Sequence, residues 1–502
     1  MIRPLALACV LTLGGIAPPA AAGTVEPPAR WLQHLEEDLL GFWSAPGAEG
    51  TPPGSFPGRL CNDGTLPEPG VACDGVTAWQ ARKPRQTLVA QSRQVFSYAV
   101  AFHMTGERRW LDLARAGAAY QFDTFLDPDT GLFDEIHDPA TGASRVGGAG
   151  ANSQKQAYGL LGPTFLHYLT GDAALGARID GVAQALDATF RTATGGYRAR
   201  PGDSGPSDTI VHHLDQLNAW QTLLASQAPL ADRAGLTERA LQTARHLREA
   251  FHDPVTGLFR RRASDPEGSL ANADFGHSVK ALWFIDQTAK LAGDAALQRF
   301  AQDQAKALFA RAWRPDQGAW STGLDAEGAP DDRAVWWSFA ELDQFAAALA
   351  IADPDLRDAV AAAQDYWLTR FVDDGNAGIW GFVDLATGAP DTGYPKHWEW
   401  KAGFHGFEHA LISYLAASAT EDGVAELFFA RADDLPETLA YGFLFDDAET
   451  APASTLVAGD EVRRVTYSGL TYAAAPLPAV PVPPGMALIL LAFGLVWLLR
   501  RR

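Results

Sequence analysis

Residues able to move protons recur at matching positions along the middle of this chain. Three are histidines, His213, His277 and His405, spaced by about one and then about two lengths of the repeat described below. An imidazole has an unperturbed pKa of about 6.5, so it can take up and return a proton near neutral pH. Equivalent positions in the repeat also hold other polar and aromatic residues: Arg93, Asn152, Lys155, Asp215, Trp336, Trp337, Glu341 and Lys401.

Histidines that face a common pocket suit the removal of a proton α to a carbonyl group. In such a pocket Arg93 would stabilise the charge that develops on an enediolate oxygen. Trp337 would stack on a pyranose face, and Glu341 would orient a histidine or bind a hydroxyl. Each residue taken alone also has a structural interpretation, as a helix cap, a core side chain or a buried ion pair. The shared position within successive repeats favours the pocket.

The repeat is marked by an aromatic residue, a short turn with glycine, and a second aromatic residue. Successive glycines lie 60 to 64 residues apart, and the series is Gly131, Gly195, Gly257, Gly318 and Gly378. A fixed period of this size is typical of a repeat architecture. The candidate residues follow these glycines by about 18 to 27 positions, where the second helix of each repeat begins.

Each period contains two helical patterns. One is amphipathic and predicts an outer helix, at 108–125, 174–190, 236–251, 295–313 and 356–371, with a sixth from the region 29–43. The other is apolar on every side and predicts a buried inner helix, at 88–104, 153–169, 213–225, 277–291, 336–351 and 402–417. Six hairpins with polar inner-helix starts favour an all-α (α/α)6 toroid over residues 23–420. An open solenoid is the alternative.

The sequence pattern changes in residues 421–472, where the helical periodicity ends. Short β-like runs at 427–430, 439–445 and 462–467 are separated by Asp, Pro and Gly clusters. They predict a small C-terminal β appendage that packs on the toroid.

Both ends of the chain carry patterns typical of protein sorting. Residues 1–22 contain Arg3, an apolar run and a small-residue site, which predict a secretory signal peptide; a buried first helix is the alternative. Outside this leader only Cys61 and Cys73 remain, and an oxidising compartment would join them in a disulfide. Two thiols without histidines nearby make a poor zinc site.

Residues 473–502 combine an Ala-Pro-Leu-Pro-Ala sequence, a proline-rich spacer, an apolar run at 486–499 and three arginines. This tail resembles the PEP-CTERM type of sorting signal in its VPLPA form. The resemblance implies an exosortase-like protease as a partner and a location in the periplasm or on the outer cell surface, held there transiently or permanently by the membrane segment. A plain membrane anchor is the alternative. The formal net charge of −20 argues against nucleic acid as a partner.

The sequence from about Trp31 to Tyr472 resembles the N-acylglucosamine 2-epimerase family. The matching pieces are Gln91-Ser92-Arg93, Lys155-Gln156-Ala157-Tyr158, Gly276-His277-Ser278-Val279 with Trp283, Trp336-Trp337 with Glu341, and Trp400-Lys401 with Phe404-His405. The resemblance implies an (α/α)6 barrel without metal or other cofactor, acting at C2 of a mono- or oligosaccharide. It also implies that His277 and His405 are the catalytic pair and that Arg93 binds substrate. His213 would then assist binding or ring opening, and Trp337 and Glu341 would shape the sugar site.

Four positions depart from the family pattern. Lys280 stands where many members have Glu, and Glu408 stands where many have Arg. Asp215 replaces a histidine and Asn218 replaces a usual Glu. If Lys280 and Glu408 face each other, the exchange preserves an ion pair; if they contact substrate with Asp215, the specificity differs.

Two other functions are compatible with the sequence. A toroid glycoside hydrolase would use two carboxylates, and Asp215 with Glu341 is the favoured pair. A non-catalytic surface protein would use the same pocket only to bind glycans.

Overall fold

The computed structural model describes residues 25–67, 73, 85–148, 150–225, 232–421, 423–431, 446–447, 453–458 and 462–472. The signal peptide predicted at 1–22 and the sorting segment predicted at 473–502 lie outside these residues. Within the described ranges, no helix is both long enough and apolar enough to cross a membrane.

Six helices form an inner layer, and nearly all of their residues are buried. In chain order they are Leu88–Thr105, Ser153–Thr170, Val211–Ala225, Phe275–Ala292, Trp336–Ala350 and Phe404–Thr420. Each packs against the next, and the sixth packs against the first. The ring is therefore closed, which confirms the (α/α)6 toroid and excludes the open solenoid.

The outer layer consists of amphipathic helices that each pack on an inner helix. Four are continuous: Arg108–Phe125, Ala173–Phe190, Arg233–Phe251 and Ala295–Ala312. The fifth, Arg357–Tyr366, continues into a π-helical turn, Trp367–Phe371. The N-terminal outer helix comprises Pro28–Gln33, the π-helical turn His34–Leu39 and Leu40–Trp43.

The N-terminal outer helix packs on the sixth inner helix and so completes the last hairpin of the ring. The Trp31 ring lies 5.1 Å from the His409 ring of the sixth inner helix. The Trp367 indole N–H donates to His34 Nε2 at 3.2 Å. Contacts between residues more than 300 positions apart thus form the seam of the ring.

The repeat glycines have a conformational role. Gly131, Gly195, Gly257, Gly318 and Gly378 all have positive φ, between 63° and 82°. An L side chain rarely adopts this left-handed backbone, whereas glycine has no Cβ to oppose it. The repeat seen in the sequence is therefore the repeat of one tight turn that follows each outer helix.

Short antiparallel strands lie in the loops at the end of the ring where the inner helices begin. They are Gln86–Thr87 with Ile136–Asp138 and Ala143–Arg145, then Trp313–Arg314 with Ala319–Trp320, and Arg333–Val335 with Phe382–Asp384. One further short helix, Pro46–Glu49, precedes the loop in which Cys61 and Cys73 are joined in a disulfide with 5.3 Å between their Cα atoms.

The β appendage packs on the opposite end of the ring. Its strands are Val424–Phe429, Ala453–Ala458 and Val462–Ser468, with a second pair, Asp446–Asp447 and Leu470–Thr471. His103, near the end of the first inner helix, hydrogen-bonds the Phe428 carbonyl at 2.8 Å. The run predicted at 439–445 lies outside the described residues, and the strand Ala453–Ala458 was not expected.

Candidate active site

The inner helices begin at the open end of the ring, and polar caps fix where each begins. Thr87 accepts the Ala90 N–H at 3.3 Å, and Asn152 accepts the Lys155 N–H at 3.2 Å. Asp274 accepts the His277 N–H at 2.7 Å. Because these caps hold the first turns in register, side chains on those turns point toward one central space.

That space is a cavity of about 140 Å³ lined by residues from all six inner helices and by Trp400 from the loop before the sixth. Its walls contain both histidines that the sequence analysis selected as the catalytic pair. The lining residues are Arg93, Gln154, Tyr158, Val211, Leu214, Asp215, His277, Lys280, Trp336, Trp337, Trp400 and His405.

His277 is paired with a carboxylate. Its Nδ1 lies 2.7 Å from Asp274 Oδ2. Burial tends to raise the pKa of Asp274, but the contacts with His277 outweigh it and the pKa is lowered. An ionised Asp274 accepts the Nδ1 proton, so the lone pair of the imidazole is on Nε2.

His405 lies in a different environment. It is buried on the sixth inner helix, and its Nδ1 is 3.5 Å from Glu341 Oε1. Burial holds the pKa of His405 well below its usual range, and three nearby cations lower it further: Arg93, Lys280 and Lys401. The neutral imidazole is therefore the stable form of His405 at rest.

Trp337 begins the inner helix that lies between the helices of His277 and His405. Its ring centroid is 5.0 Å from that of His277 and 6.1 Å from that of His405. The three rings therefore lie close together in the wall of the cavity, and the Trp337 ring lines it.

Arg93 reaches the cavity from the first inner helix. Its guanidinium lies 4.1 Å from the Tyr158 ring centroid and donates from Nη1 to the Trp400 carbonyl. Arg93 Nε is buried and has no hydrogen-bond partner among the described residues. A fixed cation that lines a water-poor cavity can stabilise negative charge on a bound molecule.

Lys280 and Asp215 form an ion pair in the cavity wall, with 2.8 Å between Nζ and Oδ1. Asp215 also accepts from the Tyr158 hydroxyl at 2.9 Å and from Gln154 at 2.7 Å. Burial alone would raise the pKa of Asp215, but Lys280 and these hydrogen bonds lower it. A carboxylate held in this way stays ionised, and Glu341, its partner in the hydrolase pair, is not among the residues that line the cavity.

Glu341 and Glu408 lie behind His405 on the fifth and sixth inner helices. Both are buried, and Gln344 Nε2 donates to each of them, at 3.2 Å and 3.4 Å. Burial and the neighbouring Glu408 raise the pKa of Glu341 to about 8, while Lys280 and Arg93 partly oppose this rise. Neither carboxylate is among the residues that line the cavity, where a sugar contact was expected of both; Glu341 instead lies beside His405.

The donor atoms of Glu341, His405 and Glu408 lie within 4.8 Å of one another. Among the described residues this is the histidine and carboxylate group compact enough for a metal ion. The cations Lys280 and Arg93 act on the Glu341 carboxylate, and a divalent ion beside them would be repelled. We therefore do not assign a metal to this group.

His213 is placed differently from the expectation. Its Nδ1 accepts the Tyr197 N–H at 3.1 Å, and its Nε2 donates to the Ser207 carbonyl at 2.9 Å. Both ring nitrogens are used by the backbone, and the ring does not line the cavity. His213 holds the loop before the third inner helix, so a direct part in sugar binding or ring opening does not fit its position.

Several residues of the site were not predicted. Asp274 was not predicted as the partner of His277, although a cap three residues before that histidine is a detectable signal for one. Tyr158 was part of a matching motif without a role. Gln154 and Gln344 gave no signal, since their contacts join residues on different helices.

A second cavity of about 450 Å³ adjoins the first, and Trp400 lines both. It lies at the mouth of the ring, beside the disulfide-containing loop. Its other lining residues are Gly58, Arg59, Arg85, Thr87, Val89, Glu135, Ile136, Lys155 and Glu399. Lys155 pairs here with Glu135 at 3.1 Å.

Comparisons with known proteins bear on the fold. No protein-family model and no curated protein matches this sequence. The solved structure of cellobiose 2-epimerase from Spirochaeta thermophila has a TM-score of 0.63 at 19% identity, covering 78% of this chain and 96% of that one. A D-mannose isomerase has the same TM-score at 14% identity, with 77% and 97% covered.

A glycoside hydrolase family 76 mannosidase from Bacteroides thetaiotaomicron is also similar. Its TM-score is 0.52 at 12% identity, with 78% of this chain and all of that chain covered. At such low identities these likenesses establish the shared (α/α)6 fold, on which epimerases, isomerases and hydrolases all occur.

Proposed function

We propose that this protein is a carbohydrate isomerase or epimerase that acts at C2 of a reducing sugar. The observation that carries the proposal is the pair His277 and His405, which line a single cavity and both lie beside the Trp337 ring. Because the two imidazoles come from different inner helices, the fourth and the sixth, they can approach one sugar from different directions.

In the proposed reaction the open-chain aldose loses its C2 proton to Nε2 of His277, and the electron pair moves toward the carbonyl oxygen. The resulting enediolate carries negative charge near Arg93 and Lys280, the two cations that line the cavity. Return of a proton to the other face of C2 gives the epimer, and its delivery to C1 gives the ketose. The negative charge on Asp274 stabilises the imidazolium that His277 becomes.

The two adjoining cavities suggest how a longer substrate is held. The inner cavity, about 140 Å³, suits one sugar ring, and the outer one, about 450 Å³, suits further units. We propose that the reducing end enters the inner cavity while Trp400 separates the first unit from the rest. The oligosaccharide named for one structural neighbour, cellobiose, is consistent with this arrangement.

The direct test is incubation with mannose, glucose, cellobiose and mannobiose in D2O, followed by NMR. Deuterium at C2 with conserved chain length supports isomerisation or epimerisation, whereas shorter products indicate hydrolysis. We expect the His277→Asn and His405→Asn variants to abolish exchange. His246→Asn, on the third outer helix, is the matched control that retains it. Turnover that survives in both active-site variants contradicts the proposal.

We also propose that the protein is exported. The sequence patterns at residues 1–22 and 473–502 support this, and so does the Cys61–Cys73 disulfide, since such bonds persist in oxidising compartments. Fractionation of cells that express the full chain, with immunodetection in each fraction, tests the location. Recovery from the cytoplasm alone would refute it.

A further inference from the structure

We propose that Glu341 and Glu408 share one proton and that Glu341, through this proton, positions His405 as the acid of the catalytic pair. The inference rests on the proposed function for its role in the reaction, but the shared proton can be observed without any substrate.

The geometry places the two carboxylates together. They lie on neighbouring inner helices, 1% and 4% exposed, and a single amide, that of Gln344, donates to both. Two ionised carboxylates this close in a buried site repel each other strongly, and uptake of one proton relieves the repulsion.

Groups around the pair act on that proton in both directions: burial, Glu408 and Asp215 raise the pKa of Glu341, whereas Lys280 and Arg93 lower it. The titratable groups that act on it are Arg93 on the first inner helix, Asp215 on the third, Lys280 on the fourth and the neutral imidazole of His405 on the sixth. Lys280 is already paired with Asp215, so much of its charge is balanced there. Asp343 and His409, on the same two helices as the pair, bind each other at 2.7 Å.

His405 offers an acceptor for the proton. Its Nδ1 is buried, has no hydrogen-bond partner among the described residues, and faces Glu341 Oε1 at 3.5 Å. Catalytic contacts of this kind are often long before substrate binds. A neutral imidazole whose Nδ1 accepts from a carboxylic acid carries its own proton on Nε2.

The two histidines are thus set in opposite tautomers. His277 donates from Nδ1 to Asp274 and presents a lone pair on Nε2, whereas His405 presents an Nε2–H. His277 then acts as the base and His405 as the acid. When His405 gives its proton to the enediolate, Glu341 passes its own to Nδ1, and the negative charge is left on the carboxylate pair. The resting state returns when His277 loses a proton and Glu341 regains one.

Infrared spectroscopy of the protein labelled with 13C-glutamate tests the shared proton. At pH near 7 we expect the C=O band of a protonated carboxylic acid, which Glu341→Gln removes and Glu408→Gln weakens. Asp286, a second buried acid whose pKa burial raises to about 6, lies away from the site, and Asp286→Asn should leave the band unchanged. A spectrum without the band, or with a band that survives both Gln substitutions, overturns the proposal.

Positioning is tested by NMR of the 15N-histidine protein. We expect His405, assigned by comparison with His405→Asn, to be the Nε2–H tautomer and to lose this preference in Glu341→Gln. In turnover assays Glu408→Gln should shift the alkaline limb of kcat to lower pH by about one unit while KM changes less than about threefold, since removal of the like charge lowers the pKa of Glu341.

Two outcomes separate this proposal from others. If the band and the tautomer are found but no sugar is turned over, the proposed function fails and the shared proton stands. If Mg²⁺, Mn²⁺ or Zn²⁺ binds stoichiometrically in calorimetry and Glu408→Gln abolishes the binding, a metal ion replaces the proton and the proposal is overturned.

Discussion

Lys280 and Asp215 contact each other directly, with 2.8 Å between the ammonium nitrogen and the carboxylate oxygen. In the sequence they were two separate departures from the family pattern, 65 residues apart. In the structure they compensate each other in the wall of the cavity. An ion pair between Lys280 and Glu408, the alternative considered from the sequence, is therefore not needed to explain the buried charge of Lys280.

The pair predicts non-additive stability. Lys280→Met and Asp215→Asn should each lower the free energy of unfolding by about 3–5 kcal/mol, because each leaves one buried charge without its partner. The double variant should lose less than the sum of the two. Urea denaturation of the four proteins measures this cycle. Effects that add to within about 0.5 kcal/mol would show that the pair is not coupled.

The contact between Asp274 and His277 predicts that loss of the Asp274 charge lowers kcat and leaves KM nearly unchanged. Asp274→Asn keeps the cap on the His277 N–H but removes the negative charge from Nδ1. We expect kcat to fall on the order of 10²-fold or more with little change in KM. The measurement is the initial rate of C2 deuteration with the sugar that is turned over.

Asp294→Asn is the matched control for that variant. Asp294 caps the fourth outer helix in the same way, by accepting the Leu297 N–H at 3.0 Å, and it lies on the outside of the ring. Unchanged turnover in this variant, beside a loss in Asp274→Asn, assigns the effect to His277. Equal losses in both would indicate a general structural cause.

Trp400 predicts a difference between long and short substrates. Trp400→Ala should raise KM for a disaccharide about 3- to 10-fold, since aromatic stacking contributes about 0.5–1.5 kcal/mol. The KM for a monosaccharide should change less, because one ring fits within the inner cavity. Equal changes for both sugars would mean that the outer cavity does not bind the second unit.

Buried neutral histidines predict loss of stability in acid. Burial lowers the pKa of His103 to about 4 and that of His213 to about 3. Between those values and about 6.5 the unfolded chain binds these protons and the folded chain does not, so stability falls as the pH decreases through this window. Asp286, with its raised pKa, has the opposite effect below pH 6.

Urea denaturation between pH 4.5 and 7 tests this dependence. His103→Gln should reduce the slope by up to about 1.4 kcal/mol per pH unit, the amount for one proton. A Gln side chain can still donate to the Phe428 carbonyl. The interpretation fails if the variant and the native protein have the same slope.

The disulfide predicts a local contribution to stability. Cys61→Ala with Cys73→Ala should lower the free energy of unfolding by roughly 2–3 kcal/mol, because the bond closes a short loop. Thermal denaturation of both proteins, with and without reductant, measures it. A native protein insensitive to reductant at its Tm would contradict this expectation.

The helices could be predicted because their signals are local and repeated. The first outer helix was expected at residues 108–125 and is observed there, since its amphipathic pattern is complete. The fifth was expected as one helix, but its last turn is π-helical. Nothing in the local pattern distinguishes a π-helical turn that packs Trp367 against the N-terminal helix.

The site was predicted where position within the repeat decides the outcome, and missed where contacts between helices decide it. His277 and His405 line the cavity because each begins an inner helix. His213 occupies an equivalent position, yet the backbone of its own loop binds both its nitrogens. The grouping of Glu341 with Glu408 depends on the rotation of two packed helices, which one sequence does not reveal.

The contacts between the N-terminal outer helix and the sixth inner helix constrain the order in which the ring can fold. Residues 28–43 are synthesised before the rest of the ring, but their packing partner is the sixth inner helix, which is synthesised after all five intervening hairpins. Until then the apolar face around Trp31 has no place to dock. The N-terminal outer helix can therefore pack only after the sixth inner helix has formed. Contacts between residues so far apart in the sequence slow folding. A chain truncated before residue 404 should expose that face and aggregate, although five of its six hairpins are complete.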